Sequence, residues 1–133
     1  MKSYDELKNK TLEFYKSINI EVPINKLESA VQSLTMSQFA KEYNDVNEKT
    51  IYDNRVLATL GDAICGAFVM KKEFKNNISA DDLTKKKEVV TNENLNKIGK
   101  KLLEGKIFFS NTDIDEKNTK AYATAFEAIV GFI

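Results

Sequence analysis

RVLATLGDAICGAFVMKKEF, residues 55–74, is the stretch whose reading decides the fold. Fifteen residues lie between Arg55 and Lys71, and among them Asp62 alone is charged. Leu57, Leu60, Ile64 and Phe68 recur at i, i+3, i+7 and i+11, which predicts a helix over roughly Tyr52–Phe74. Its other side is not polar. Asp62 shares its face with Ala58, Thr59, Cys65, Gly66 and Val69, all small or apolar. A helix that is apolar all round is expected to be buried. A carboxylate inside it then needs a partner or a metal.

A second stretch has the same character. Ala121–Ile133, AYATAFEAIVGFI, holds one charge, Glu127, among Ala123, Thr124, Val130 and Gly131. If the two helices pack side by side, these small residues let their backbones approach, and Asp62 and Glu127 converge on a divalent cation. Alternatively each acid caps or salt-bridges on its own, for example to Arg55 or a Lys.

Composition bounds what such a site can use. The 133 residues contain 42% apolar and 30% charged residues, one Pro and five Gly, which favours an all-α single domain over a turn-rich sandwich. There is no His, so a metal here relies on carboxylates, the ligands of hard cations such as Mg²⁺ or Mn²⁺. Cys65 is the single cysteine. It reads as a buried structural thiol and suits a reducing cytoplasm. No signal peptide or membrane span is expected. Twenty basic residues balance twenty acidic ones, which speaks against a strong non-specific nucleic-acid binder and leaves local patches as the question. Lys71, Lys72 and Lys75 form one cluster, Lys85, Lys86 and Lys87 a second, and Lys97, Lys100, Lys101 and Lys106 a third. Each is either a solvated helix face or a phosphate track.

The remaining chain reads as helices. Ser3 and Glu6 form a capping-box pattern for a helix to Ser17, with Leu7, Phe14, Tyr4 and Leu12 as apolar contacts. Pro23 breaks the chain, and Asn25 is placed to cap Lys26–Leu34, with Leu27, Ala30, Val31 and Leu34 inward. A short helix follows at Ser37–Tyr43, then a polar loop to Thr50. Ser79 caps a helix carrying Asp81 and Asp82 in its first turn and running to about Val90. Thr91–Asn92 restart a helix striped by Leu95, Ile98, Leu102 and Leu103, and Gly105 stops it. Lys106–Lys117 is irregular.

The order of these features resembles the ribonuclease III catalytic-domain family from about Leu27 onward. Leu34-Thr35-Met36-Ser37 with Phe39-Ala40 is similar to the family's ALTHxSYA motif. Asn54-Arg55-Val56-Leu57-Ala58-Thr59-Leu60-Gly61-Asp62-Ala63 resembles its signature NERLEFLGDA, with one more residue between Arg and Gly. Val90-Thr91-Asn92-Glu93-Asn94-Leu95 is similar to VSNETLA, and Ala125-Phe126-Glu127-Ala128-Ile129-Val130-Gly131 to AFEALIG.

The resemblance implies an all-α fold, a homodimer packed through the Arg55–Phe74 helix, and Mg²⁺- or Mn²⁺-dependent endonucleolytic cleavage of double-stranded or structured RNA. Asp62 and Glu127 fall on two of the family's four metal-binding acids and are the expected catalytic and metal-holding residues. The other two positions hold Ala58 and Thr124. The same replacements occur in the compact Mini-III branch, whose ALAYxGDA and YSTAFEALLGY this chain resembles and which implies a ribosomal precursor stem as substrate. Against that branch, this chain has a helical N-terminal extension, residues 1–24, and an acidic loop with Asp113, Asp115 and Glu116. No double-stranded-RNA-binding domain is expected to follow, so RNA contact falls to Lys71, Lys72, Lys85, Lys86, Lys87 and Lys120. The missing acids keep a second expectation open, a catalytically inactive ribonuclease III-fold dimer that binds RNA or a ribonucleoprotein. Neutral net charge alone favours a third, a helical interaction module without RNA.

Overall fold

Seven α-helices and one 3-10 turn make up the regular structure in the computed structural model, which describes residues 3–87, 92–114 and 120–133. They are α1 (Tyr4–Ser17), the turn Ile24–Lys26, α2 (Leu27–Ser33), α3 (Ser37–Val46), α4 (Arg55–Glu73), α5 (Ala80–Lys87), α6 (Asn92–Leu103) and α7 (Ala121–Phe132). Among the described residues the one sheet-like contact is a parallel bridge between Thr35 and Phe108. The chain is all-α, as its composition and periodicity predict.

The capping box at Ser3 forms. Its Oγ accepts from the Glu6 amide at 3.3 Å, and the Glu6 carboxylate reaches back to the Ser3 amide at 3.5 Å. The buried face of α1 is Leu7, Thr11, Phe14 and Tyr15, not Leu12, which stays exposed. Thr11 tolerates burial because its hydroxyl donates to the Leu7 carbonyl at 2.8 Å. Tyr15 ties three helices together. Its hydroxyl lies 2.6 Å from Ser33 Oγ on α2, and its ring packs 5.1 Å from that of Phe132 on α7. Burial pushes the Tyr15 pKa up to about 12. Residues expected as an extension thus share one core with Val31, Leu34, Leu103, Phe108 and Ile129.

Three local expectations are corrected. Asn25 does not cap α2, because Pro23 sets up the 3-10 turn first and Asn25 lies inside it. Ile98 and Leu102 are not on the inner face of α6. That face is Leu95, Gly99 and Leu103, because α6 rides on the backbone of α7, where a Cβ on Gly99 would come within 2.6 Å of the Tyr122 carbonyl oxygen. Asp113 is not an exposed loop acid. It is buried, and its carboxylate accepts the amides of Gln38, Phe39 and Ser110, each at 3.0 Å, so it caps α3 from across the chain. The predicted end near Val90, the Thr91 restart, and Asp115 and Glu116 lie outside the described residues.

Helix α4 starts at Arg55 rather than Tyr52, because buried Asn54 anchors it to the α2–α3 link. The Asn54 amide donates to the Thr35 carbonyl at 2.9 Å, and its side-chain Nδ2 donates to the Ser33 carbonyl at 3.2 Å. From there α4 crosses α7 backbone to backbone. A Cβ on Gly61 would collide with the Glu127 carbonyl, and one on Gly131 with the Leu57 carbonyl.

The expectation of a buried α4 fails. Ala58, Gly61 and Gly66 are its buried residues, while Val56, Leu60, Ile64 and Phe68 are exposed, Phe68 by 68%. One narrow stripe of small residues suffices to seat α4 on α7, so its large side chains point outward.

Gly61→Ala is expected to cost about 2–3 kcal/mol or to prevent folding, read from urea denaturation. Gly105 has φ +77° and open space around its Cβ position. Gly105→Ala should therefore cost only about 1 kcal/mol of left-handed strain, and Gly105→Asn less.

Candidate active site at the α4–α7 crossing

Gly61 meets the backbone of Glu127, so the next residue on α4, Asp62, comes out beside the Glu127 side chain. The Glu127 carboxyl stands close enough to Asp62 for the two acids to bear on each other's ionisation. The two acids differ in setting. Glu127 is only 8% exposed, whereas Asp62 opens to solvent. Burial, then the hydrogen bond to Asp62 and its negative charge, push the Glu127 pKa up to about 7. The pair is thus built to hold a proton between two oxygens that repel when both ionise.

Cys65 stands one helical turn past Asp62. Burial, then the charges of Glu127 and Asp62, hold its thiol above the usual range. The thiol is half-buried rather than the fully buried packing residue expected, and it belongs to the surroundings of the acids. Ala58 is buried one turn before Asp62, and Thr124 is half-buried one turn before Glu127. Neither position offers a carboxylate.

The start of α7 is held in place from α6. Asn96 Oδ1 accepts the amides of Tyr122 and Ala123 at 3.1 and 3.2 Å, supplying the cap that Lys120 at the N-cap position does not. Sequence reasoning missed Asn96, whose partners lie 26 and 27 residues away. The lysines divide between helices. Lys71 and Lys72 end α4, Lys85, Lys86 and Lys87 end α5, which packs on α4, and Lys120 precedes α7. All six are exposed.

Two neighbouring carboxylates, one desolvated and one wet, fit a hard divalent cation that keeps water among its ligands. Among the described residues no group of three or more His, Cys, Asp and Glu forms a fuller cage.

A family model for the ribonuclease III domain matches residues 55–133, helices α4 to α7 with both acids included. The match spans more than half of the chain, and the chain belongs to the ribonuclease III domain family. Its function is therefore RNA cleavage or double-stranded-RNA binding. The Leu34–Ala40 motif lies outside the matched stretch. A comparison with the curated proteins finds no match. No helix among the described residues is long and apolar enough to cross a membrane.

The raised Glu127 pKa has a signed consequence in chelator. The unfolded carboxyl titrates near 4.5 and the folded one near 7, so the folded state favours the protonated form. Its stabilisation is full below about pH 4.5 and is lost as pH rises through about 7. Melting temperature in EDTA should fall across that window, and Glu127→Gln should flatten the fall.

Proposed function

We propose that the protein is a divalent-metal-dependent endoribonuclease that cleaves double-stranded or structured RNA as a cytoplasmic homodimer. The observation that carries this reading is the Asp62–Glu127 carboxyl pair at the α4–α7 crossing. Asp62 and Glu127 would hold Mg²⁺ or Mn²⁺. When bound, such a cation activates water as the nucleophile and neutralises charge developing on the phosphate. For their part, the residues provide two neighbouring carboxyls, a proton that Glu127 gives up near neutral pH, and a solvent-exposed Asp62 on the side from which a phosphate would approach. The Ala58 and Thr124 pattern resembles the Mini-III branch, which supports activity with two acids and a ribosomal precursor stem as substrate.

The exposed face of α4 supports the dimer. Val56, Leu60, Ile64 and Phe68 recur every fourth residue with Thr59, Ala63 and Ala67 beside them, all exposed. A helix-long apolar strip in water calls for a partner, and a second copy of the same helix is self-complementary to it. Two copies double the lysine clusters. Lys71, Lys72, Lys85, Lys86, Lys87 and Lys120 would then track the phosphates of an A-form duplex, read by shape.

A second reading is an inactive dimer that binds RNA or a ribonucleoprotein. It is favoured by the two positions without acids and by the absence, among the described residues, of a three-ligand group.

Incubation with a long RNA duplex and Mg²⁺ or Mn²⁺ separates the two. Internal cleavage is expected, with a loss of about 100-fold or more in Asp62→Asn and in Glu127→Gln. Retained binding with no cleavage at any enzyme concentration would sink the enzymatic reading, and cleavage surviving both substitutions would sink the site. Sedimentation should give twice the chain mass of 15.1 kDa, and Leu60→Glu or Ile64→Lys should return it to one chain; an unchanged mass in those variants rejects the α4 interface.

A further inference from the structure

Gly66 is buried on a helix whose outer face is open, and what covers it is one side chain from α5. A Cβ on Gly66 would lie 2.6 Å from Lys87 Cε, 3.3 Å from its Cδ and 3.4 Å from its Cγ. The Lys87 stem is laid into a notch that only glycine leaves, and it comes closer as it runs toward its ammonium. Gly66 is four residues past Asp62, hence directly above it on the same face of α4. Cys65, the residue before Gly66, already feels the charges of both Glu127 and Asp62. Lys85 and Lys86, its neighbours in the last turn of α5, are not among the three nearest contacts at Gly66. Lys87 makes no ion pair among the described residues, although the glycine it covers is one helical turn past Asp62.

We propose that the Gly66 notch fixes Lys87 as the phosphate-holding cation beside the Asp62–Glu127 pair. This rests on the ribonuclease reading of that pair and narrows it: of the six candidate lysines, Lys87 is assigned to the phosphate at the acids, and the others to the flanking backbone. The physical logic is complementarity. Two carboxylates repel a phosphodiester, and a cation held next to them, but not paired to them, offsets that repulsion and donates to a phosphate oxygen. A glycine notch is needed because a free lysine on an exposed helix end loses rotamer entropy on binding, whereas a stem already packed in a groove has lost much of it beforehand.

The test compares Lys87→Met, which keeps the apolar stem and removes the charge, with Lys85→Met and Lys86→Met. Binding of a short RNA duplex in Ca²⁺ is followed by anisotropy across a salt series, and cleavage is followed in Mg²⁺. Lys87→Met should lower kcat by about tenfold or more, reduce the salt slope of binding by about one unit, and leave the melting temperature unchanged. Lys85→Met and Lys86→Met should reduce the salt slope by a similar amount and lower kcat less than Lys87→Met does. Gly66→Ala, which displaces the stem, should reproduce the kcat loss, and Lys87→Arg should recover part of it. A Lys87→Met kcat equal to that of Lys85→Met overturns the assignment while the nuclease reading stands. If wild type binds duplex but never cleaves it, the nuclease reading falls, and the assignment then stands only if Lys87→Met weakens binding more than Lys85→Met and Lys86→Met do. Wild type that holds no duplex at low salt overturns both.

Discussion

Everything about this chain's candidate site depends on how closely α4 and α7 approach. Gly61 lies against the carbonyl of Glu127, and Gly131 against that of Leu57. At both points one helix has no side chain, and backbone touches backbone. That contact sets the depth at which the helices mesh, and with it the separation of Asp62 from Glu127. An alanine at either position would spread the helices by the width of a methyl group. The coupling between the two carboxyls would weaken with such a shift.

The same crossing has a second effect. Because α4 uses only a stripe of small residues against α7, its large apolar side chains have nowhere to go but out. The fold therefore builds the acid pair and the unpartnered strip of Val56, Leu60, Ile64 and Phe68 from one element. Glu127 is on the inner side and becomes hard to ionise, while Asp62 sits at the rim. Supports come from far along the chain: Asn54 pins the start of α4, Asn96 caps α7, and Asp113 caps α3.

The helices and their types were legible because their periodicity and caps are local. Ser3 with Glu6, Ser79 with Asp82 and Gly105 each act within a few residues. The association of Asp62 with Glu127 was suggested by matching environments, since two lone acids among Ala, Thr and Gly read alike in both helices. The caps from Asn96 and Asp113 were not legible. Each joins residues that are distant in sequence, and a polar residue in a polar stretch carries no mark of its partner.

The sequence by itself determined an all-helical chain, its helix signals, and the two stretches where acids stand among small residues. It also held the family pattern, since the matched stretch runs over the last three of its four motifs from Arg55 onward. Only the tertiary structure decided which face of each helix is inner. Hydrophobicity told that α4 resists water on every side; it could not tell that glycine and alanine would win the buried side and leave leucine and phenylalanine outside. Close approach of two backbones depends on the smallest side chains of both helices being in register, and that is a property of the pair.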